Sequence, residues 1–124
     1  MMTTDKKELR QKAVERLTEE VALLLRQSEN EQLKWKSTRL DLMEALYEVF
    51  LTQQLKDDDG MVMPFIKLVK KVCGILHFKV PSNPYDCAAR GRARKGCLRQ
   101  TYLDRYQYML QVRGNKEPLW EEIY

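Results

Sequence analysis

The chain has 124 residues and a net charge of +4, with 44% apolar and 32% charged residues. This length predicts one domain with one hydrophobic core, and only five glycines and four prolines argue against disorder or a many-turned β fold. The sequence contains neither the roughly 20 continuous apolar residues of a membrane span nor a signal-like apolar segment. We therefore expect a helical, cytoplasmic protein without membrane contact.

The charge is distributed unevenly along the chain. Residues 1–60 contain ten bases and thirteen acids, a net charge of −3, whereas residues 61–124 contain twelve bases and five acids, a net charge of +7. A basic half of this kind favours polyanionic partners, first nucleic acid and second an anionic membrane surface.

The first predicted element is an amphipathic helix from Asp5 to about Gln27. Val14, Leu17, Val21 and Leu24 recur at helical spacing on one face. This stripe suits packing within the domain, and it also suits pairing with a second copy of the chain. We treat residues 1–30 as an N-terminal helical segment of a single domain.

The second predicted helix begins after Ser37 and Thr38, which offer N-cap oxygens, and runs to about Gln54. Asp41, three residues after Thr38, takes a position like that of the acid in a capping box. The acids of Asp57–Gly60 resemble a calcium loop in composition only, because they are adjacent rather than alternate, and we predict a turn.

A third helix is predicted from Pro64 to about His77. Lys67, Lys70 and Lys71 share its polar face. Such a triplet is either a solvated helix face or part of a basic partner surface. Phe78–Val80 could extend briefly as a short strand.

The following segments are a short helix that opens at Pro84, a last helix from about Gly96 to Arg113, and a tail over residues 114–124. The tail is aromatic and apolar, so it could fold back on the core or clasp a second protomer. Between the two helices lies a basic run with almost no intervening acid, which is either a solvated loop or a phosphate-facing surface. Its bases are Arg90, Arg92, Arg94, Lys95 and Arg99.

The sequence offers little for catalysis or metal binding. His77 is the single histidine, and no nucleophile elbow, Walker loop or dinucleotide fingerprint occurs. Cys73, His77, Cys87 and Cys97 could supply four zinc ligands, but the Cys87–Cys97 spacing lacks the tight second pair of structural zinc sites. We interpret the three cysteines as free thiols in a reducing compartment, and we predict no enzyme activity, no metal and no cofactor.

Several short motifs resemble the C-terminal part of the RteC family, regulators of conjugative-transposon excision in Bacteroides and relatives. The resemblance begins at Trp35–Tyr47, where a tryptophan and a Lys/Thr-rich cap precede an apolar helix. It continues through the Gly60 turn, the helix around Phe65–Phe78 and Asn83-Pro84-Tyr85. It ends in the run from Arg94 to Asp104, where the family reads approximately Arg-Lys-x-x-Arg-Thr-x-Phe-Leu.

The resemblance covers roughly residues 33–110, and we assign residues 33–113 to an RteC-like helical domain. The sequence departs from the family pattern at Glu44–Tyr47 and at Gln100, and it lacks the longer N-terminal domain of the family. The resemblance implies a helical, winged-helix-like domain that binds promoter DNA and switches on excision genes. Because Phe78–Val80 is the one plausible strand, we predict an all-α helix-turn-helix-like bundle with a short β wing as an option.

The leading hypothesis is a small non-enzymatic protein that binds double-stranded DNA as a transcriptional regulator or accessory factor of mobile-element excision. Arg92 and Arg94 are the first candidates for DNA contact. The full predicted set of nucleic-acid-binding residues is Lys67, Lys70, Lys71, Arg90, Arg92, Arg94, Lys95 and Arg99. The alternative is a helical protein–protein adaptor that dimerises through the N-terminal helix or the C-terminal tail. A nuclease is less favoured because clustered acids or histidines for metal-assisted cleavage are missing.

Overall fold

The computed structural model describes residues 5–94 and 100–124. In these residues the fold consists of helices and irregular chain, with two isolated β-bridges and no strand. The helices are α1 (Lys6–Leu25), α2 (Arg39–Leu51), α3 (Phe65–Ile75), α4 (Pro84–Arg92) and α5 (Tyr102–Gln111), with 3₁₀ turns at Glu29–Glu31 and Trp120–Glu122. The all-α prediction is therefore confirmed.

Side-chain caps define where α1 and α2 begin. The Asp5 carboxylate accepts a hydrogen bond from the Lys7 N–H, and the Thr38 hydroxyl accepts one from the Asp41 N–H at 3.1 Å. Each bond satisfies one of the amides that a helix leaves unpaired in its first turn. The predicted cap at Thr38 is confirmed, and α2 ends three residues earlier than expected.

The end of α3 explains why the predicted strand at Phe78–Val80 is absent. His77 adopts a left-handed conformation with φ of 53°, and the Phe78 N–H donates to the Cys73 carbonyl at 2.9 Å while the His77 N–H donates to Gly74. This pair of bonds is a Schellman motif. It turns the chain away from the helix axis, so that residues 78–80 continue as irregular chain and the strand prediction is wrong.

The last helix starts later than predicted. The Thr101 hydroxyl accepts a hydrogen bond from the Asp104 N–H at 3.0 Å and caps α5. The predicted start at Gly96 lies outside the described residues. The stop is close to expectation, since Gly114 takes a positive φ of 74° just beyond α5.

The core lies between α1, α2, α3 and α5, and α4 covers α2. The largest fully buried side chains of the core include Phe65, Tyr102 and Tyr106. The apolar stripe of α1, formed by Ala13, Leu17, Val21 and Leu24, is buried in the same core. The helix therefore packs within its own domain.

The C-terminal tail folds back onto the chain that precedes α2. Trp35 and Ile123 form an antiparallel bridge, and Lys34 and Tyr124 exchange two backbone hydrogen bonds of 2.7 and 3.1 Å. Leu119 is buried in the core. Of the two placements considered for the tail, the structure has the intramolecular one. None of the helices in the described residues has the length and apolar character to cross a bilayer.

Candidate nucleic-acid interface

The lysines of α3 lie on its outer surface, opposite the buried face that carries Leu68, Val69 and Val72. Lys67 faces the Asp57 carboxylate at 3.9 Å. Lys70 and Lys71 are exposed, and no described carboxylate lies within 4 Å of either ammonium group. These two cations are therefore open to an anionic partner.

Arg90 and Arg92 of α4 each contact an acid. The Arg90 guanidinium is 3.0 Å from the Asp86 carboxylate one turn earlier, and both side chains are well exposed. Arg92 contacts the Glu48 carboxylate at 3.1 Å, and its guanidinium lies over the Tyr47 ring, 5.0 Å from the centroid. Exposed pairs of the first kind contribute little to stability, so Arg90 can exchange its partner for a phosphate more readily than Arg92.

Arg94 is placed differently from the other arginines. Its guanidinium lies 2.8 Å from the Asp41 carboxylate and 3.0 Å from that of Glu44, and both acids are buried in α2. Arg94 also donates to the carbonyl of Gly91 at 3.1 Å. With three acceptors engaged and only 16% of its side chain exposed, Arg94 has few donors left for an external anion.

Glu44 connects α2 to α5. Its carboxylate accepts hydrogen bonds from the backbone N–H groups of Tyr102 at 3.0 Å and Leu103 at 2.8 Å, in addition to the bond from Arg94. A carboxylate at a helix N-terminus satisfies unpaired amides and interacts favourably with the helix dipole. The buried charge is thus compensated by three donors.

Asp41 is the second buried acid of this cluster. It accepts hydrogen bonds from Ser37 at 2.5 Å and from Arg94, and the Arg105 guanidinium lies 2.6 Å away. Burial alone would raise the pKa of Asp41, but the bonds from Arg105, Ser37 and Arg94 outweigh it and lower the pKa below its ordinary value. Asp41 therefore stays ionised and links α2 to α5 and to Arg94 in the chain just after α4.

A third buried acid, Glu20 of α1, fastens the tail. Its carboxylate accepts hydrogen bonds from the Tyr106 hydroxyl at 2.5 Å and from the backbone N–H groups of Leu119 and Trp120, both at 3.2 Å. Burial raises the pKa of Glu20, while these donors and the Arg16 charge oppose the rise. Burial and the hydrogen bond to Glu20 also raise the pKa of Tyr106.

The basic residues predicted from sequence thus fall into separate groups. Lys67, Lys70 and Lys71 lie on α3. Arg90 and Arg92 lie in the last turn of α4, and Arg94 lies two residues beyond its end. The two helices meet at their beginnings, where the rings of Phe65 and Tyr85 are 4.8 Å apart. Lys95 and Arg99 lie outside the described residues.

Two cations that the sequence analysis missed line a groove beside α2. Arg39 and Lys79 border a space of about 440 Å³ together with Phe78, Val80, Pro81 and Ser82. Arg39 is isolated in the sequence and Lys79 was assigned to a strand, so no local pattern linked them. Only the turn after α3 brings them to the same groove.

The residues considered for zinc do not assemble into a site in the described part of the chain. No group of three His, Cys, Asp or Glu residues there has metal-binding geometry, and Cys97 lies outside it. The His77 Nε2 atom is 2.7 Å from the Glu29 carbonyl oxygen. Burial raises the pKa of the Cys73 thiol to about 11, which keeps it protonated and unreactive at neutral pH.

Comparisons of the chain with protein-family models, with curated proteins and with solved structures found no match.

Proposed function

We propose that the protein is a non-enzymatic DNA-binding protein that contacts the phosphates of a duplex through the outer face of α3. The observation that carries the proposal is the pair Lys70 and Lys71, exposed on one helix face without a described carboxylate within 4 Å. Cations that are not neutralised internally are available to displace the counterions of DNA.

Arg90 adds to this surface in the proposal, because its contact with Asp86 is exposed and a phosphate can compete for it. Arg92 and Arg94 take supporting roles, since Glu48 and the buried pair of Asp41 and Glu44 engage their guanidinium groups. The proposed DNA surface therefore centres on α3 instead of the arginine-rich run.

A helix-turn-helix-like use of the fold is part of the proposal. In it α3 lies along the duplex, while its apolar face, which includes Phe65, Leu68 and Val72, is held by the core. The resemblance to RteC regulators supports a cytoplasmic role in controlling mobile-element excision. A β wing is not needed, because the cations on α3 supply the phosphate contacts.

The test is a fluorescence-anisotropy titration of a nonspecific duplex over a salt series. Each phosphate contact contributes about 0.9 to the slope of log affinity against log salt, so Lys70→Ala/Lys71→Ala should reduce the slope by about 2. The matched control is Lys6→Ala/Lys12→Ala, which removes two exposed lysines from α1. Equal slopes for wild type and the α3 variant would refute the proposal.

A second candidate function, a protein–protein adaptor, is favoured by one observation. Tyr108 of α5 and Val112, the residue directly after α5, lie four positions apart and expose 54% and 68% of their surface. The α1 stripe and the tail, the surfaces first considered for dimerisation, are occupied within the chain. Analytical ultracentrifugation of wild type and Tyr108→Ser/Val112→Ser tests it, because self-association through α5 should be lost in the variant.

A further inference from the structure

The groove beside α2 combines cationic and apolar walls. Arg39, the first residue of α2, and Lys79, in the chain between α3 and α4, are both exposed at its border. No described carboxylate is within 4 Å of either cation. The groove therefore carries two positive charges that no carboxylate of the described residues neutralises at close range.

The apolar wall is formed by the segment that follows α3. Phe78 packs against the core from one side, Pro81 is buried, and Val80 exposes 37% of its surface. The Schellman turn at His77 and the core contact of Phe78 fix the start of this wall. A volume of about 440 Å³ lies within the range of pockets that hold small organic groups.

We propose that this groove binds an unpaired nucleotide of single-stranded DNA, with the phosphate between Arg39 and Lys79 and the base against Phe78 and Pro81. In a duplex both faces of each base are covered by stacking, so only an unpaired base can offer its face to an apolar wall. The protein would then prefer DNA that carries a single-stranded extension. This inference rests on the proposed function, because the duplex next to the extension is held by Lys70 and Lys71.

The lining side chains favour a nucleic acid over an acidic peptide. The arginine and lysine are hydrogen-bond donors only, and the Ser82 hydroxyl is the one lining side chain that can accept. A phosphodiester presents acceptors to such donors and also brings a flat base for the apolar wall, whereas the carboxylate of an acidic side chain brings an acceptor but no ring. An acidic peptide as the true ligand is one outcome that the experiment separates.

The experiment compares two fluorescent probes by anisotropy, a blunt nonspecific duplex and the same duplex with a single-stranded thymine extension. The variants are Arg39→Ala/Lys79→Ala, Lys70→Ala/Lys71→Ala and the control Lys6→Ala/Lys12→Ala, each checked by circular dichroism for unchanged folding. Stacking of one base commonly changes affinity by roughly 5- to 100-fold. Wild type should prefer the extended probe at least about 5-fold, and only Arg39→Ala/Lys79→Ala should lose that preference.

Three results would overturn the inference. If wild type binds both probes equally while Lys70→Ala/Lys71→Ala weakens both, DNA binding by α3 stands and the groove proposal fails. If neither probe binds at low salt, the proposed function fails and the groove proposal fails with it. The third result is that wild type shows no preference for the extended probe, while a Glu-rich peptide competes with the probe and Arg39→Ala/Lys79→Ala abolishes this competition. It would assign the groove to a protein partner instead.

Discussion

The Oε1 atom of Glu44 lies 3.0 Å from the backbone nitrogen of Tyr102, although the two residues are 58 positions apart in the chain. Through this contact a buried acid of α2 serves as the cap of α5, together with Thr101, which caps the same helix locally. Glu44 therefore has a structural role, because it connects α2 to Arg94 and to the start of α5.

We expect Glu44→Gln to destabilise the protein by about 2–4 kcal/mol. The glutamine amide keeps one acceptor oxygen, but its NH₂ group would face another donor, either a backbone N–H group or Arg94. The neutral amide also removes a negative charge that compensates the Arg94 guanidinium. Urea unfolding measures the change. Glu19→Gln, at an exposed position of α1, should change the free energy of unfolding by less than about 0.5 kcal/mol. Equal stability of the two variants would contradict the role given to Glu44.

The same cluster predicts losses of stability of different size for two arginines of the basic run. Arg94→Ala leaves Asp41 and Glu44 buried with fewer donors, and we expect a loss of about 2–4 kcal/mol in the free energy of unfolding. Arg90→Ala removes an exposed pair and should cost less than about 1 kcal/mol. Thermal and urea unfolding of both variants provide the comparison. A tolerated Arg94→Ala would return this residue to the candidate DNA contacts.

Two neighbouring tyrosines should respond differently to removal of the hydroxyl. The Tyr106 hydroxyl donates to Glu20 at 2.5 Å, so Tyr106→Phe should destabilise by about 1–3 kcal/mol. The Tyr102 hydroxyl is buried with no hydrogen-bond partner among the described residues. Tyr102→Phe should therefore be neutral or stabilising. Urea unfolding of the two variants is sufficient, and a large loss for Tyr102→Phe would point to a partner of that hydroxyl.

Glu20 should make the protein more stable on mild acidification. Burial raises the pKa of Glu20 in the folded state above its ordinary value of 4.5, so the folded state binds this proton more tightly than the unfolded state. Its contribution is fully present below pH 4.5 and is lost as pH rises through the folded pKa. Glu20→Gln, which does not titrate, should lack this dependence. Between pH 7 and pH 5 the free energy of unfolding of wild type should therefore rise relative to that of Glu20→Gln.

Two helical glycines provide a test of how closely α4 approaches α2. A Cβ at Gly91 would lie 3.0 Å from Glu44 Oε1 and 3.1 Å from the Leu40 carbonyl oxygen, groups that cannot move freely. Gly91→Ala should destabilise by about 1–3 kcal/mol. At Gly74 the nearest atom is the end of the Glu29 side chain, which can rotate away, so Gly74→Ala should be neutral or gain up to about 1 kcal/mol. A stabilising Gly91→Ala would contradict the close approach.

The helices were largely predictable, because the apolar stripe of α1 and the cap at Thr38 are local patterns. The buried acids were not. Glu20 and Glu44 look like ordinary polar positions of helices, and their partners are as far as 100 residues away at Trp120. Arg94 looked like a DNA contact for the same reason, since the carboxylates that engage it lie 50 and 53 positions earlier. Local periodicity carries no information about such pairs.

The bonds between Glu20 and the tail also bear on how the chain folds during synthesis. Because Tyr106, Leu119 and Trp120 supply the donors for Glu20, α1 cannot complete its packing until nearly the whole described chain has left the ribosome. An early helix whose partners arrive last exposes its apolar stripe to solvent in the meantime, a condition that promotes aggregation and chaperone binding. Despite its helical content, this domain is therefore expected to fold as a unit once the segment around Trp120 has emerged, instead of helix by helix.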